Sequence, residues 1–109
     1  NLFLVQKGRL MTPPLGTGIL PGITRSVVFC IAHALGITMR EQCITLRDLK
    51  TADEIFLTGT TSEILPIATI TGVTSKRAPG PLTREVMTAY RLLLPQPLRL
   101  NKAAKNLAT

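Results

Sequence analysis

The sequence predicts an α/β protein, a sheet covered by helices, and three observations predict it. Short apolar or alternating runs, as in Leu2-Phe3-Leu4-Val5 and Glu54-Ile-Phe-Leu-Thr58, have the period of strands, whereas two longer segments repeat every three to four residues. Gly and Pro residues separate these segments. The composition is 45% hydrophobic, with no Trp, three Phe and one Tyr among 109 residues, so the core must be mostly aliphatic. An aliphatic core of that size suits helices packed on a sheet within one small domain.

Residues 1–6 read as a strand, Lys7-Gly8 as a hairpin turn and residues 9–12 as the return strand. Pro13-Pro14 ends it, because proline donates nothing to a ladder, and residues 16–22 form a loop rich in Gly and Pro. From Thr24 the period changes: Val27, Val28, Ile31, Ala32 and Leu35 share one helical face, and Gly36 supplies the stop. Residues 37–44 alternate as a half-buried strand, after which Thr45-Leu-Arg-Asp48 reads as the capped start of a short helix through Ala52. Residues 54–58 form a strand that breaks at Gly59-Thr60-Thr61, and residues 64–71 continue in extended form to a turn at Gly72. Ala78-Pro79-Gly80-Pro81 interrupts the chain again. The last helix carries Val86, Met87, Tyr90, Leu93 and Leu94 on one face until Pro95 and Pro97 end it, and residues from about 95 to 109 read as an irregular basic tail.

Several function classes recede at this level. No run is long and apolar enough to cross a bilayer, and the opening lacks the regions of a secretory signal. The first residue is Asn and the chain enters at once into a strand, so it reads as a piece of a longer protein. Cys30 and Cys43 lack metal or redox spacing. Cys30, among apolar helical neighbours, reads as a reduced, buried thiol, and a cytoplasmic protein is expected. The formal charge of +7 invites a nucleic-acid partner, yet the basic residues are scattered, and such a partner is not favoured over a small anion. His33 stands without a second His, and Asp53, Glu54 and Glu63 fall where solvation or capping explains them, so no metal site is expected.

Two loops carry chemistry. In Ile19-Leu20-Pro21-Gly22-Ile23-Thr24-Arg25 a Gly-containing turn opens a helix, whose first N–H groups have no intrahelical partner and so form an anion site. Gly22 permits close approach and Thr24 adds a hydroxyl, while Arg25 reads as a solvated or packing residue. In Thr58-Gly59-Thr60-Thr61-Ser62-Glu63 hydroxyls and a Gly-flanked backbone offer a second set of donors. Each loop alone reads as a structural cap or turn. Together they could converge on one phosphate.

These two runs, with 52–67 as a whole, Gly80-Pro-Leu-Thr-Arg84, the opening Asn1-Leu-Phe-Leu-Val5 and Met11-Thr-Pro-Pro14, resemble the class IV aminotransferases in order and spacing up to about Leu94. That family uses pyridoxal 5'-phosphate and includes branched-chain and D-amino-acid aminotransferases and aminodeoxychorismate lyase. The resemblance implies the C-terminal part of the cofactor-binding domain over residues 1–109, a mixed sheet with flanking helices. It implies that Leu20 packs on the cofactor ring, that Gly22, Ile23, Thr24, Gly59 and Thr60 hold its phosphate, and that Thr60 and Thr61 help to bind the substrate carboxylate. It also places the Schiff-base lysine upstream of Asn1, with the carboxylate that pairs with the ring nitrogen. None of Lys7, Lys50, Lys76, Lys102 or Lys105 stands in its place, so the 109 residues alone are not expected to transaminate. The implied partners are the N-terminal part of the same protein, an amino acid and a 2-oxo acid, and a second copy in a homodimer. A lyase of the same fold and a non-catalytic basic domain that binds anions or nucleic acid are the alternatives.

Overall fold

The computed structural model describes residues 1–17, 22–59, 63–70, 72–75 and 77–93. A five-stranded mixed sheet forms its centre. β1 (Leu2–Gln6) turns through Lys7 and Gly8, both at positive φ, into antiparallel β2 (Arg9–Thr12). β3 (Met39–Glu41) adds parallel to β2 at one edge, while β4 (Glu54–Gly59) and β5 (Glu63–Pro66) extend the other side antiparallel. The spatial order is β3-β2-β1-β4-β5. The β2-to-β3 crossover passes through a 3-10 turn at Leu15–Thr17 and then α1 (Ile23–Leu35), because parallel strands need a long connection. α2 (Leu46–Thr51) precedes β4. A small hairpin, β6 (Thr69–Ile70) with β7 (Val73–Thr74), precedes α3 (Pro81–Leu93).

Strand alternation sorts side chains between two cores. Phe3, Val5, Leu10, Phe56 and Ile64 face α1 and α3 and meet Val28, Ile31, Ala32 and Val86. Leu4, Met11, Ile55 and Ala52 form the other core, with Ile44, Leu49 and Ile67 packed against it. β1 is therefore apolar on both sides, which explains its continuous apolar run. The three phenylalanines gather at one point: Phe3 stacks on its cross-strand neighbour Phe56 at 5.0 Å between centroids, and Phe29 of α1 meets Phe3 edge-on at 6.3 Å. Burying Phe3 and Phe56 contributes roughly 1.5–3 kcal/mol each.

The mixed sheet with flanking helices matches the expectation, and so do the first hairpin, the short capped helix and β4. Other elements differ. The alternating run at 37–44 yields only the three-residue β3, because it pairs on one side only and Arg40, Glu41 and Cys43 stand exposed. The extended segment from 64 is not one strand, since β5 ends at Pro66 and the chain re-pairs as the β6–β7 hairpin. Leu35, expected on the buried face of α1, is 48% exposed. Gly36 takes a left-handed φ of 71° there, and Ile37 turns back to donate its N–H to Ala32 O at 2.8 Å and to pack on the core in place of Leu35. Leu93 shares the angular face of Val86 two turns away, yet it is exposed because it ends the helix. Cys30 is exposed, not buried: it lies between Val28 and Ile31 in sequence but on the opposite side of the helix.

Candidate functional site

β1 and β4 begin and end, respectively, at one end of the sheet, and the start of α1 comes to the same place. Asn1 exchanges two backbone hydrogen bonds of 2.7 Å with Thr58, which extends the β1–β4 ladder to the last turn of backbone before Gly59. Thr24, 5% exposed, donates its hydroxyl proton to Gly59 O at 3.3 Å. Gly22 lies beside Asn1, whose Nδ2 would stand 3.6 Å from a Cβ built on that glycine. Asn1, Gly22 with Thr24, and Gly59, from three segments far apart in the chain, thus line one corner.

Gly22 is the N-cap of α1 and makes no side-chain cap bond. Its φ of −122° and ψ of 144° are ordinary extended values that any residue adopts, and a Cβ there would make only ordinary contacts. Neither backbone conformation nor crowding within the chain calls for glycine. The N–H groups of Ile23, Thr24 and Arg25 have no acceptor among the described residues, as the first turn of an uncapped helix requires, and the first intrahelical bond is from Ser26 N to Gly22 O at 3.1 Å. Ile23 is 81% exposed, so its N–H stands near the surface. An anion at this corner would meet aligned N–H dipoles and the positive end of α1. The Thr24 hydroxyl has a single proton, which Gly59 O accepts, so backbone N–H groups rather than this hydroxyl are the donors left open.

Arg25 anchors the corner from below. Only 4% exposed, it donates from Nη2 to Pro13 O at 3.0 Å, pairs with Glu41 Oε2 at 3.4 Å and lies 4.5 Å over the Phe29 ring. Its Nε has no hydrogen-bond partner among the described residues. It is a packing residue, not a solvated one, and ties the end of β2, β3 and α1 together.

Of the residues singled out in the sequence, Gly22, Ile23, Thr24 and Gly59 are brought together. Leu20, Thr60 and Thr61 lie outside the described residues. Lys7 sits at the far end of β1, about 20 Å from Asn1 at roughly 3.3 Å per strand residue, and Lys50 is exposed in the last turn of α2. His33 is exposed near the end of α1. A cavity of about 710 Å³ opens at the opposite end of the sheet, between the first hairpin turn and α3. Its walls carry Asp53, Glu54 and Glu85 as well as Arg77 and Arg84. Volume alone would favour it, but its mixed charge is poorly suited to an anion, and the open helix start lies elsewhere.

Sequence reasoning missed two members of this architecture. Asn1 read as the start of a strand and of a family-like run, with no place at the site, although it faces Gly22. Glu54 read as a solvated or capping residue. It does cap, but while buried and at a distance: its carboxylate accepts from Leu82 N at 3.1 Å and Thr83 N at 2.8 Å in the first turn of α3. Period two along β4 places Glu54 with Phe56 on the core face, and that signal could have found it. Gly80 is required there, since a Cβ would collide with the Glu54 side chain.

The sequence model of the family described as Amino-transferase class IV matches residues 1–70. The chain is similar to a branched-chain-amino-acid aminotransferase of Escherichia coli, 41% identical over 91 residues, which are 83% of this chain and 29% of that one. It is also similar to a D-alanine aminotransferase of Bacillus licheniformis, 40% identical over 92 residues, 84% of this chain and 32% of that one. Among solved structures, a branched-chain amino acid aminotransferase from Thermobaculum terrenum in its PLP-bound holo form superposes with a TM-score of 0.79 at 43% identity, covering 83% of this chain and 30% of that one. The chain spans about a third of the length of the curated relatives it matches.

Proposed function

The chain belongs to the class IV aminotransferase family, and on that premise we propose that it supplies the phosphate-holding corner of a pyridoxal-phosphate-dependent enzyme. In this reading the whole protein moves an amino group between an amino acid, of the branched-chain or D type, and a 2-oxo acid. The observation that carries it is the Thr24–Gly59 hydrogen bond, which joins the open start of α1 to the end of β4.

The residues present fit a phosphate monoester. The open N–H groups of Ile23, Thr24 and Arg25 give more donors than one water would use, and the glycine N-cap leaves the space that a side-chain cap would fill. When bound, the cofactor provides an electron sink that stabilises negative charge at the amino acid's α-carbon. The chain's own work is positional. Ile23 and Thr24 offer backbone N–H groups to the phosphate, with Gly22 allowing close approach. Thr24, through Gly59, fixes the spacing between the two loops, and buried Arg25 keeps the start of α1 from shifting. Leu20 is assigned to the face of the ring, and Thr60 and Thr61 to the phosphate and the substrate carboxylate, on the strength of the family resemblance. Lys7 and Lys50 are remote from the corner, Lys76, Lys102 and Lys105 lie outside the described residues, and the reading that this chain does not transaminate by itself rests on the family resemblance. A homodimer and a cytoplasmic location belong to the same reading.

The test separates phosphate recognition from ring recognition. Titrating the chain with pyridoxal 5'-phosphate should move the amide resonances of Ile23, Thr24 and Gly59, while pyridoxal without its phosphate should leave them in place. Equal responses to both compounds would remove the phosphate assignment.

A further inference from the structure

We propose a second anion site, at the β3 edge of the sheet, which takes a small multivalent oxyanion. Lys7 at the first hairpin turn, Arg9 at the start of β2 and Arg40 in the middle of β3 line one groove of about 270 Å³, with neutral Gln6, Thr38 and Gln42 between them. The fold assembles it: parallel pairing sets Met11 beside Arg40, so the cations of two strands and a turn reach the same hollow. The nearby carboxylates are engaged elsewhere. Glu41 pairs with Arg25, Asp48 closes the cap of α2, and Asp53 Oδ2 accepts from the Lys7 backbone N at 2.9 Å while its side chain lines the separate cavity beside α3. None of the three cations has an ion-pair partner among the described residues.

Like charges that line one hollow repel one another, and a bound anion relieves that repulsion. Two guanidinium groups offer paired N–H donors that fit pairs of anionic oxygens, so adjacent anionic groups on one ligand are preferred to a single carboxylate. The volume lies just below the roughly 300–1,000 Å³ of drug-sized ligand sites, which favours a compact ion. Diphosphates and tricarboxylates share this chemistry. The site is independent of the α1 corner, which lies at the other end of β1.

Inorganic pyrophosphate, and citrate as a second arm, titrated into the isotopically labelled full chain distinguish the sources. Saturable shifts at the amides of Arg9, Thr38, Arg40 and Gln42 are expected. A response to pyrophosphate alone assigns a phosphorylated ligand, and a response to both assigns a general multivalent oxyanion. The double variant Arg9→Gln/Arg40→Gln should weaken this binding by about tenfold or more, with the Ile23 and Thr24 response to pyridoxal 5'-phosphate preserved. Arg47→Gln, an exposed charge on α2 outside the groove, should change it by no more than about twofold. Shifts that fail to saturate, or equal weakening by the two kinds of variant, would reduce the groove to diffuse surface charge and overturn the proposal. Amide dispersion in the same spectra reports whether each variant is folded.

Discussion

The starts of α1 and α2 solve the same physical problem in opposite ways. Each helix leaves its first N–H groups without backbone acceptors. α2 satisfies them from within: Thr45 Oγ1 accepts from Asp48 N at 3.1 Å, and Asp48 Oδ2 accepts from Thr45 N at 2.9 Å. α1 has a glycine where that cap would be and leaves them open. A helix that carries its own carboxylate at the N-terminus has no vacancy for another anion, whereas a helix capped by glycine keeps one. α3 offers a third solution, with a carboxylate from β4 brought across 28 positions of sequence to Leu82 N. The difference teaches that an uncapped start is informative only beside capped ones in the same chain.

The comparison can be broken most severely at α3. Glu54→Ala leaves two N–H groups of a buried helix start unpaired and should lower stability by about 3 kcal/mol. Urea unfolding checks it, and a loss below about 1 kcal/mol would mean that water replaces the carboxylate. The α1 start is sharpened by Gly22→Asp, which installs the kind of cap that α2 has. The site's backbone values accept the change, so the chain should unfold no earlier, while affinity for pyridoxal 5'-phosphate should drop by about tenfold or more, or about 1.4 kcal/mol. Retained affinity in a folded Gly22→Asp chain would show that α1 is not an anion site.

Smaller effects follow at the tether and at α2. Thr24→Val removes one side-chain bond to Gly59 and should reduce stability by about 1 kcal/mol, with Thr24→Ser restoring most of it in thermal unfolding. The matching control is Asp48→Ala, which takes the carboxylate away from the start of α2 and leaves the Thr45 cap in place. It should lower stability by about 0.5–1 kcal/mol and create no cofactor affinity, since the six-residue α2 has a threonine cap in place of the open glycine start of α1. Fluorescence titration with pyridoxal 5'-phosphate reads that difference directly.

Much of this was legible one residue at a time. Lys7-Gly8 had to turn, Gly36 had to stop a helix, and Thr45 with Asp48 had to cap one, because turn chemistry and capping are local interactions that depend on neighbours within a few positions. The helical period likewise placed Val28 and Ile31 on one apolar face, and the glycine loop before Thr24 marked α1 as an anion-site candidate. Exposure of Leu35 and Cys30 was harder to read, since an apolar residue near a helix end or between two buried ones depends on what lies opposite.

What the chain order alone determined, then, were the first hairpin, the helices, β4 and the two donor-rich turns, but not the extent of β3 or the β6–β7 hairpin. Tertiary structure decided that Thr24 reaches Gly59 across 35 positions, that Asn1 stands against Gly22, that Arg25 is buried beneath them, and that Glu54 serves a helix it does not adjoin. Such pairings depend on strand order and register, in which one strand runs back beside another, and no local propensity encodes which distant backbone group will arrive at a given hydroxyl or carboxylate.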